Sequence, residues 1–378
     1  MNTRERFNAI MAFEQADRGL FTPYMGPWPA TVERWRAEGL GDRHWAEPFG
    51  FDVSNEDVTQ FAFLPVEKFV WPPLEEKVLR EEPGRRLVRD RVGVTKYVRT
   101  DGVEMAQYIS HPVCDRASWE TFKEHLHPET PGRLPDDLDE RARREEHRDT
   151  ILGIGGRPMG FFSAIRELMG AEAALVAAAL EPDLLGRIAE HLADLWIDLF
   201  SRVMAKVQPD FLFLWELNCD NKGPMLSPAM FRDLFLPSYR KLIGALKDLG
   251  LRNVWVDCQG NAWKMLPLFL ETGVTGTLPL EVRSGMDVAE VRRRFPRLQM
   301  IGGIARLALA GDRADIDREL DRVAPLVALG GYIPTIDHFF SPEIPWDNFR
   351  HFIAGLRRIT SVPIRPTLTA AVAKKGKQ

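Results

Sequence analysis

The sequence has few cysteines, no long apolar run and little net charge, and each of these absences excludes a class of protein. Three cysteines among 378 residues are too few for a disulfide framework and are typical of a reducing compartment. No window approaches the roughly 18 consecutive apolar residues of a membrane span, and the amphipathic N-terminal segment carries acidic residues that a signal peptide lacks. A net charge of −4 gives no electrostatic footprint for nucleic acid. We therefore expect a soluble, cytoplasmic protein that binds neither nucleic acid nor membrane.

From residue 150 onward, short apolar runs alternate with longer amphipathic stretches. The runs predict buried parallel strands, and we expect them in the 150s and at 211–216, 253–257, 276–280, 298–302 and 331–335. Leu20–Gly26 is the expected first strand. This alternation predicts an α/β fold, and the number of units favours a closed (β/α)8 TIM barrel over an open sheet. We expect one domain over residues 1–365, with a β-rich excursion at about 60–110, followed by a flexible tail at 366–378.

Polar side chains crowd the ends of the predicted strands, which is where parallel α/β proteins hold their active sites. Glu216 and Asn218 follow the apolar run FLFLW directly. The later strands are followed by Asp257, Cys258, Glu281, Asp337 and His338. Zinc takes carboxylate, thiolate and imidazole ligands and keeps one position open in catalytic sites. Glu216, Cys258 and His338 therefore form a candidate metal site.

Each of these residues also has a structural interpretation. Cys258 could equally be a small buried hydrophobe, Glu216 the partner of a cation within the barrel, and His338 a loop histidine with satisfied hydrogen bonds. Cys114 and Cys219 are interpreted as structural. Several aromatic side chains near the strand ends predict the walls of a pocket for a flat or apolar substrate, and we assign this role to Trp28, Phe161 and Trp215.

The chain resembles the uroporphyrinogen decarboxylase superfamily, and within it the branch associated with corrinoid-dependent methyltransferases. The stretches that carry the resemblance are WELNCDNKGPMLSPAMFRDLFLPSYRKLI, VWVDCQGN, LPLEV, MIGGI and GGYIPTIDHFFSPEIPWDNF. It extends over nearly the whole chain. The resemblance implies a (β/α)8 barrel with its site at the carboxyl mouth. The decarboxylases of the superfamily are homodimers, which implies a homodimer here.

The resemblance points to two functions, which the sequence separates. The decarboxylases carry an arginine-rich motif of the type RQAGRY near the N-terminus, which binds the porphyrinogen carboxylates. Here the matching stretch is GPWPATVERW, so we do not expect tetrapyrrole decarboxylation, although the late histidine of the decarboxylases matches His338. The methyltransferase branch holds zinc with a His-x-Cys pair and a later Cys. Cys258 matches the first Cys, Val256 replaces the His, and the later Cys falls near Asp337 and His338.

The resemblance therefore implies an enzyme, a zinc-assisted methyltransferase that depends on a corrinoid (cobalamin-type) cofactor. A methyl group would pass from a small methylated substrate, with a methoxylated aromatic as one candidate, to a corrinoid carried by a partner protein. In this demethylation Asn218, Asp257 and Glu281 would orient or protonate the substrate. Two alternatives stay open. One is a metal-independent decarboxylase or other lyase of the same fold with Asp257 or His338 as proton donor, and the other is a non-catalytic ligand-binding barrel.

Overall fold

The structure is a computed structural model that describes residues 1–53, 61–100 and 106–366. Its strands are β1 Ala62–Phe63, β2 Lys77–Glu82, β3 Arg85–Arg89, β4 Thr95–Arg99, β5 Gln107–Ser110, β6 Leu152–Gly155, β7 Phe211–Trp215, β8 Cys219–Asp220, β9 Gly223–Pro224, β10 Asn253–Asp257, β11 Gly276–Leu278, β12 Gln299–Ile304 and β13 Tyr332–Ile336. Its α-helices are α1 Thr3–Met11, α2 Pro29–Trp35, α3 Arg116–Phe122, α4 Leu138–Glu145, α5 Phe161–Met169, α6 Ala171–Leu180, α7 Pro182–Met204, α8 Pro228–Asp248, α9 Leu266–Thr272, α10 Val288–Arg294, α11 Arg313–Val327 and α12 Trp346–Thr360.

A curled parallel sheet carries the candidate site. Seven strands pair in the order β1, β6, β7, β10, β11, β12 and β13, and each pair is parallel. The strand residues are almost all buried, because α-helices cover the outside of the sheet and apolar side chains fill the inside. All five strands expected after residue 210 are present, and their carboxyl ends meet at one end of the sheet.

The expected first strand is absent. Leu20–Gly26 forms no strand, since Pro23 has no N–H to donate to a ladder and Tyr24 has a φ of 56°. The segment instead runs beside the end of β13, where the Phe340 N–H donates to the Gly26 carbonyl (3.2 Å) and Trp28 N–H donates back to Phe340 O (3.1 Å). Among the described residues, therefore, no backbone ladder joins β1 to β13, and the expected closed eight-stranded barrel is seen as a curled seven-stranded sheet.

The strand expected at 276–280 ends early for a related reason. Pro279 lacks an N–H, and Leu280 has a φ of 59°, so the backbone leaves the sheet after Leu278. Gly302 in β12 allows this turn to lie close, because a Cβ at that position would stand 1.8 Å from the Pro279 carbonyl oxygen. The turn places Glu281 at the sheet end.

Strands β2 to β5 form a separate antiparallel sheet in chain order. Residues 60 and 101–105 of the expected excursion, and residues 367–378 of the expected tail, lie outside the described residues. Within the part of the chain that is described, no helix is both long and apolar enough to cross a membrane.

Candidate functional site

The carboxyl ends of the parallel strands bring one group of polar side chains together. Glu216 and Asn218 follow β7, Asp257 ends β10, Cys258 comes next, and Glu281 follows β11. Asp337 and His338 follow β13. Glu216, Asn218, Asp257 and Asp337 are buried although they are polar. Burial of polar groups at converging strand ends is typical of an active site in this architecture.

Glu216 joins the end of β7 to the start of helix α5 through its hydrogen bonds. Its Oε2 accepts from the Phe162 N–H (3.2 Å) and from the Tyr239 hydroxyl, and Oε1 accepts from the Ser163 N–H (3.0 Å) and from Ser163 Oγ (3.3 Å). Complete burial raises the pKa of Glu216 to about 7, against the lowering effect of these hydrogen bonds. Since both oxygens are engaged, the carboxyl group holds the helix in place.

Asn218 lies between two buried thiols. Its Oδ1 accepts from Cys258 Sγ at 3.2 Å and from Cys219 Sγ at 3.4 Å. The neighbouring Cys219 thiol and burial raise the pKa of Cys258 well above its usual value, so Cys258 is held as a thiol. The Asn218 Nδ2 is buried and has no hydrogen-bond partner among the described residues. A substrate oxygen could accept from this free amide.

Asp257 is a buried acid that lacks the hydrogen bonds of Glu216. Its Oδ1 is buried and has no hydrogen-bond partner in the described part of the chain. Burial, with a smaller contribution from the negative charge of Glu281, raises the pKa of Asp257 from its usual 3.8 to about 7. The buried Tyr24 is a neighbour of Asp257. Burial raises the pKa of Tyr24, and the negative charge of Asp257 contributes to the same shift. Near neutral pH, Asp257 therefore exists in both protonated and ionised forms.

A cavity of about 380 Å³ opens beside these residues at the ends of β11, β12 and β13. It is lined by Asn221, Glu281, Val282, Arg283, Ala305, Arg306, Leu307, Asp337 and His338. Nδ1 of His338 accepts from the Phe339 N–H at 2.9 Å, so a neutral ring carries its proton on Nε2. Burial, together with the Arg306 charge, lowers the pKa of His338. The imidazole is therefore neutral at pH 7 and can donate a hydrogen bond from Nε2.

Comparison with known proteins assigns the chain to a family. The sequence model of the uroporphyrinogen decarboxylase (URO-D) family matches residues 104–359. The chain belongs to the URO-D family. No match was found among proteins of curated function. Among solved structures, a methyltransferase from Methanosarcina mazei is similar with a TM-score of 0.57 and 13% identity, over 95% of this chain and 99% of that one.

That likeness supports the fold. A B12-independent methionine synthase from Shewanella sp. W3-18-1 has a TM-score of only 0.36 at 10% identity, over 60% of this chain and 65% of its own, and no conclusion rests on it.

The metal site expected from the sequence is not assembled. In the described ranges, no three His, Cys, Asp or Glu side chains are grouped so that they could hold a metal ion. Glu216 accepts hydrogen bonds on both oxygens, the Cys219 thiol and burial raise the pKa of Cys258, and His338 lines a cavity that Glu281 also lines. Zinc would need a free carboxylate oxygen and a thiolate. The residues as they stand in this URO-D family member do not fit the ion.

The three aromatic residues expected to wall a pocket differ in their placement. Trp28 is 40% exposed and lies edge-on to His338, with 6.4 Å between ring centroids. Phe161 is fully buried and packs against Trp196, and its role as a pocket wall stays a prediction. Trp215 is half-buried and lines a second cavity of about 630 Å³ beside β5 and α6.

Sequence reasoning missed several residues of the site. Tyr24 lies in the expected first strand, but only its positive φ and burial bring it near Asp257. Tyr239 is inside a helix and carries no motif signal. Arg306 follows β12, which extends to Ile304, beyond the end expected from the sequence. The strand-end rule would have found Arg306 if the apolar run MIGGI had been extended through its last residue.

Proposed function

We propose that this URO-D family member is a methyltransferase that moves a methyl group from a small methylated substrate to a corrinoid carried by a partner protein. A methoxylated aromatic remains the candidate substrate. Family membership and the similarity of the fold to a methyltransferase support the reaction class. The mechanism depends on one observation: Oδ1 of Asp257 is buried and has no hydrogen-bond partner among the described residues, and the pKa of this carboxyl group is raised to about 7.

Removal of a methyl group from an ether needs a proton at the oxygen that is left behind. A reduced corrinoid on the partner protein would supply the nucleophile that accepts the methyl group, and the electron pair of the O–CH₃ bond would stay on the substrate oxygen. Asp257 would donate its proton to that oxygen and become a carboxylate. A general acid is most effective when its pKa lies near the working pH, which holds for Asp257.

The neighbours of Asp257 would position the proton and the substrate. Glu281 keeps Asp257 protonated through its negative charge. Nδ2 of Asn218 has no partner among the described residues and could donate to the substrate oxygen. His338 lines the cavity as a neutral donor. None of these roles requires zinc, which stays a sequence-based prediction without a step assigned to it.

A lyase reaction is the second candidate, and the same observation favours it. After loss of carbon dioxide from a substrate, a carbanion must be protonated, and Asp257 with a pKa of about 7 could supply that proton as well. The two reactions differ in their products, because only methyl transfer methylates a corrinoid and only decarboxylation releases carbon dioxide.

The test follows both products. Purified protein is incubated with a panel of aryl methyl ethers and chemically reduced cob(I)alamin, and the demethylated product is measured by mass spectrometry while the corrinoid is followed by its absorption spectrum. Asp257→Asn should lower the methyl-transfer rate by roughly 10²–10⁴-fold, because an amide cannot donate an acidic proton. Cys114→Ser is the control, since Cys114 is an exposed thiol.

Unchanged methyl transfer in Asp257→Asn would overturn the assigned role of this acid. Carbon dioxide release from carboxylated substrates without corrinoid methylation would replace the methyltransferase by the lyase. Binding of aromatic ligands with neither product would leave the non-catalytic barrel.

A further inference from the structure

The cavity of about 380 Å³ contains two guanidinium groups that form no ion pair with the described residues. Arg283 and Arg306 both line it. In the described part of the chain, neither side chain has a carboxylate oxygen within 4.0 Å, the limit within which other arginines of this protein form ion pairs. Arg306 is half-buried, so its charge is only partly solvated. Guanidinium groups offer several N–H donors in a plane that matches carboxylate and phosphate oxygens.

Two carboxyl groups share the cavity, and three of their oxygens accept hydrogen bonds from other groups. Asp337 Oδ1 accepts from the Arg306 backbone N–H and Oδ2 from the Val282 N–H, each at 3.0 Å. Glu281 Oε2 accepts from the Ser284 hydroxyl at 2.9 Å. The negative charges of Asp337 and Glu281 thus balance the cavity overall, while the side-chain donors of the two arginines stay open. A ligand anion could accept hydrogen bonds from these N–H groups.

An aromatic surface lies next to these donors. The Arg306 guanidinium lies 5.9 Å from the ring centroid of Trp28, and the same ring lies edge-on to His338. Trp28 is 40% exposed, so its ring is accessible to a ligand. A flat ring that carried an anionic substituent could pack against Trp28 while the substituent reached Arg306.

We propose that Arg306, supported by Arg283, binds the carboxylate of an aromatic acid in this cavity. The inference rests on the proposed function in one respect, since it makes the methyl donor a methoxylated aromatic carboxylate. Glu281 connects the cavity to the acid, because it lines the cavity and follows β11, whose Leu278 pairs with Asp257 at the end of β10. The carboxylate would therefore lie at the outer side of the site, and the methoxy group would point inward to Asp257.

The experiment measures binding separately from turnover. Benzoate, 3-methoxybenzoate and 4-methoxybenzoate are titrated into the full-length protein by calorimetry, with methoxybenzene as the neutral analogue. Arg306→Gln should weaken binding of the acids by about tenfold or more, the usual loss when a hydrogen bond to a charged group is removed. Arg306→Lys should restore part of it, because it restores the charge without the planar fork.

Arg252→Gln is the matched control. Arg252 is exposed and precedes the first residue of β10, at the opposite end of the sheet from the cavity. This variant should bind the acids as the wild type does. Added salt should weaken acid binding to the wild type, because exposed charge pairs are screened.

Each outcome decides between the two proposals. Acid binding that depends on Arg306, without methyl transfer, supports the carboxylate site and contradicts the methyltransferase. Methyl transfer from methoxybenzene and the methoxybenzoates alike, with no effect of Arg306→Gln, keeps the methyltransferase and overturns the carboxylate site. If none of the three acids binds at millimolar concentration, or if Arg306→Gln binds them as tightly as the wild type, the carboxylate site is wrong.

Discussion

The burial of Asp257 should make the protein less stable at alkaline pH, and replacement by asparagine should remove that effect. The pKa of Asp257 is raised from 3.8 to about 7 in the folded chain. A group whose folded pKa is raised binds more protons in the folded state than in the unfolded state between these two values. Folding stability therefore falls as pH rises through this range and is fully reduced above about pH 7.

The magnitude follows from the two pKa values. The full change corresponds to about 4 kcal/mol, and about 2–3 kcal/mol of it falls between pH 5 and pH 8. No allowance for solvent screening is needed, because the side chain is 6% exposed. The amide in Asp257→Asn has nearly the same shape and does not ionise. The variant should therefore gain stability over the wild type by this amount between pH 5 and pH 8.

The assay is urea unfolding of both proteins at pH 5 and pH 8, followed by fluorescence. The comparison uses the difference between variant and wild type at each pH, so the titration of Glu216, which also has a pKa of about 7, cancels. Activity provides an independent measurement. If Asp257 is the general acid, the rate should decline as pH rises above about 7, because the carboxyl group loses its proton. An equal pH dependence of stability in the two proteins would refute the reasoning.

Three further predictions concern the absent arginine motif, the metal and the turn after β11. Uroporphyrinogen should not be converted to coproporphyrinogen, because residues 26–35 do not form the RQAGRY-type motif whose arginines bind its carboxylates. A chromatographic assay with normal turnover would contradict this. If the zinc prediction holds, purified protein should contain stoichiometric metal by mass spectrometry, and Cys258→Ser should lower metal content and activity together with the fold intact; metal-free, active protein would refute it. Gly302→Ala should destabilise the protein by about 3 kcal/mol or more in urea, since φ is 109° and the new Cβ would meet Pro279 O, whereas Gly244→Ala in the exposed face of α8 should not destabilise it.

The parallel sheet could be predicted because its signal is local. Strands such as Phe211–Trp215 and Asn253–Asp257 are unbroken apolar runs, and such runs form strands that are buried on both faces. The end of each strand can be predicted from the first polar residue after the apolar run. The position of Asp257 and Glu281 at one end of the sheet therefore followed from the sequence with no knowledge of the packing.

The direction of a side chain beyond a strand end could not be predicted in the same way. Glu216 follows its strand as directly as any candidate, but it points to the N–H groups of Phe162 and Ser163. Those donors lie more than fifty residues earlier in the chain, and nothing in the strand pattern shows where they stand. The expected metal site depended on this direction, which explains why the three proposed ligands are separate.

The prediction of a first barrel strand was wrong for a local reason that gives only a weak signal in the sequence. Leu20–Gly26 contains only one proline, and a single proline is tolerated at a sheet edge. The positive φ of Tyr24 removes the segment from the ladder, and non-glycine residues adopt that conformation only when their surroundings hold them there. Burial of the Tyr24 ring in the core supplies those surroundings. The same conformation brings Tyr24 to Asp257.

Glu216 and Asp257 show why hydrogen bonding, more than the pKa itself, identifies the reactive acid. Burial raises the pKa of both carboxyl groups to about 7. The oxygens of Glu216 accept four hydrogen bonds from α5 and Tyr239, so a substrate would have to displace a donor to reach them. Asp257 Oδ1 has no such donor among the described residues, and its burial is uncompensated until a ligand arrives. A substrate oxygen next to Asp257 would gain a hydrogen bond that the free protein lacks, so binding and proton donation would use the same atom.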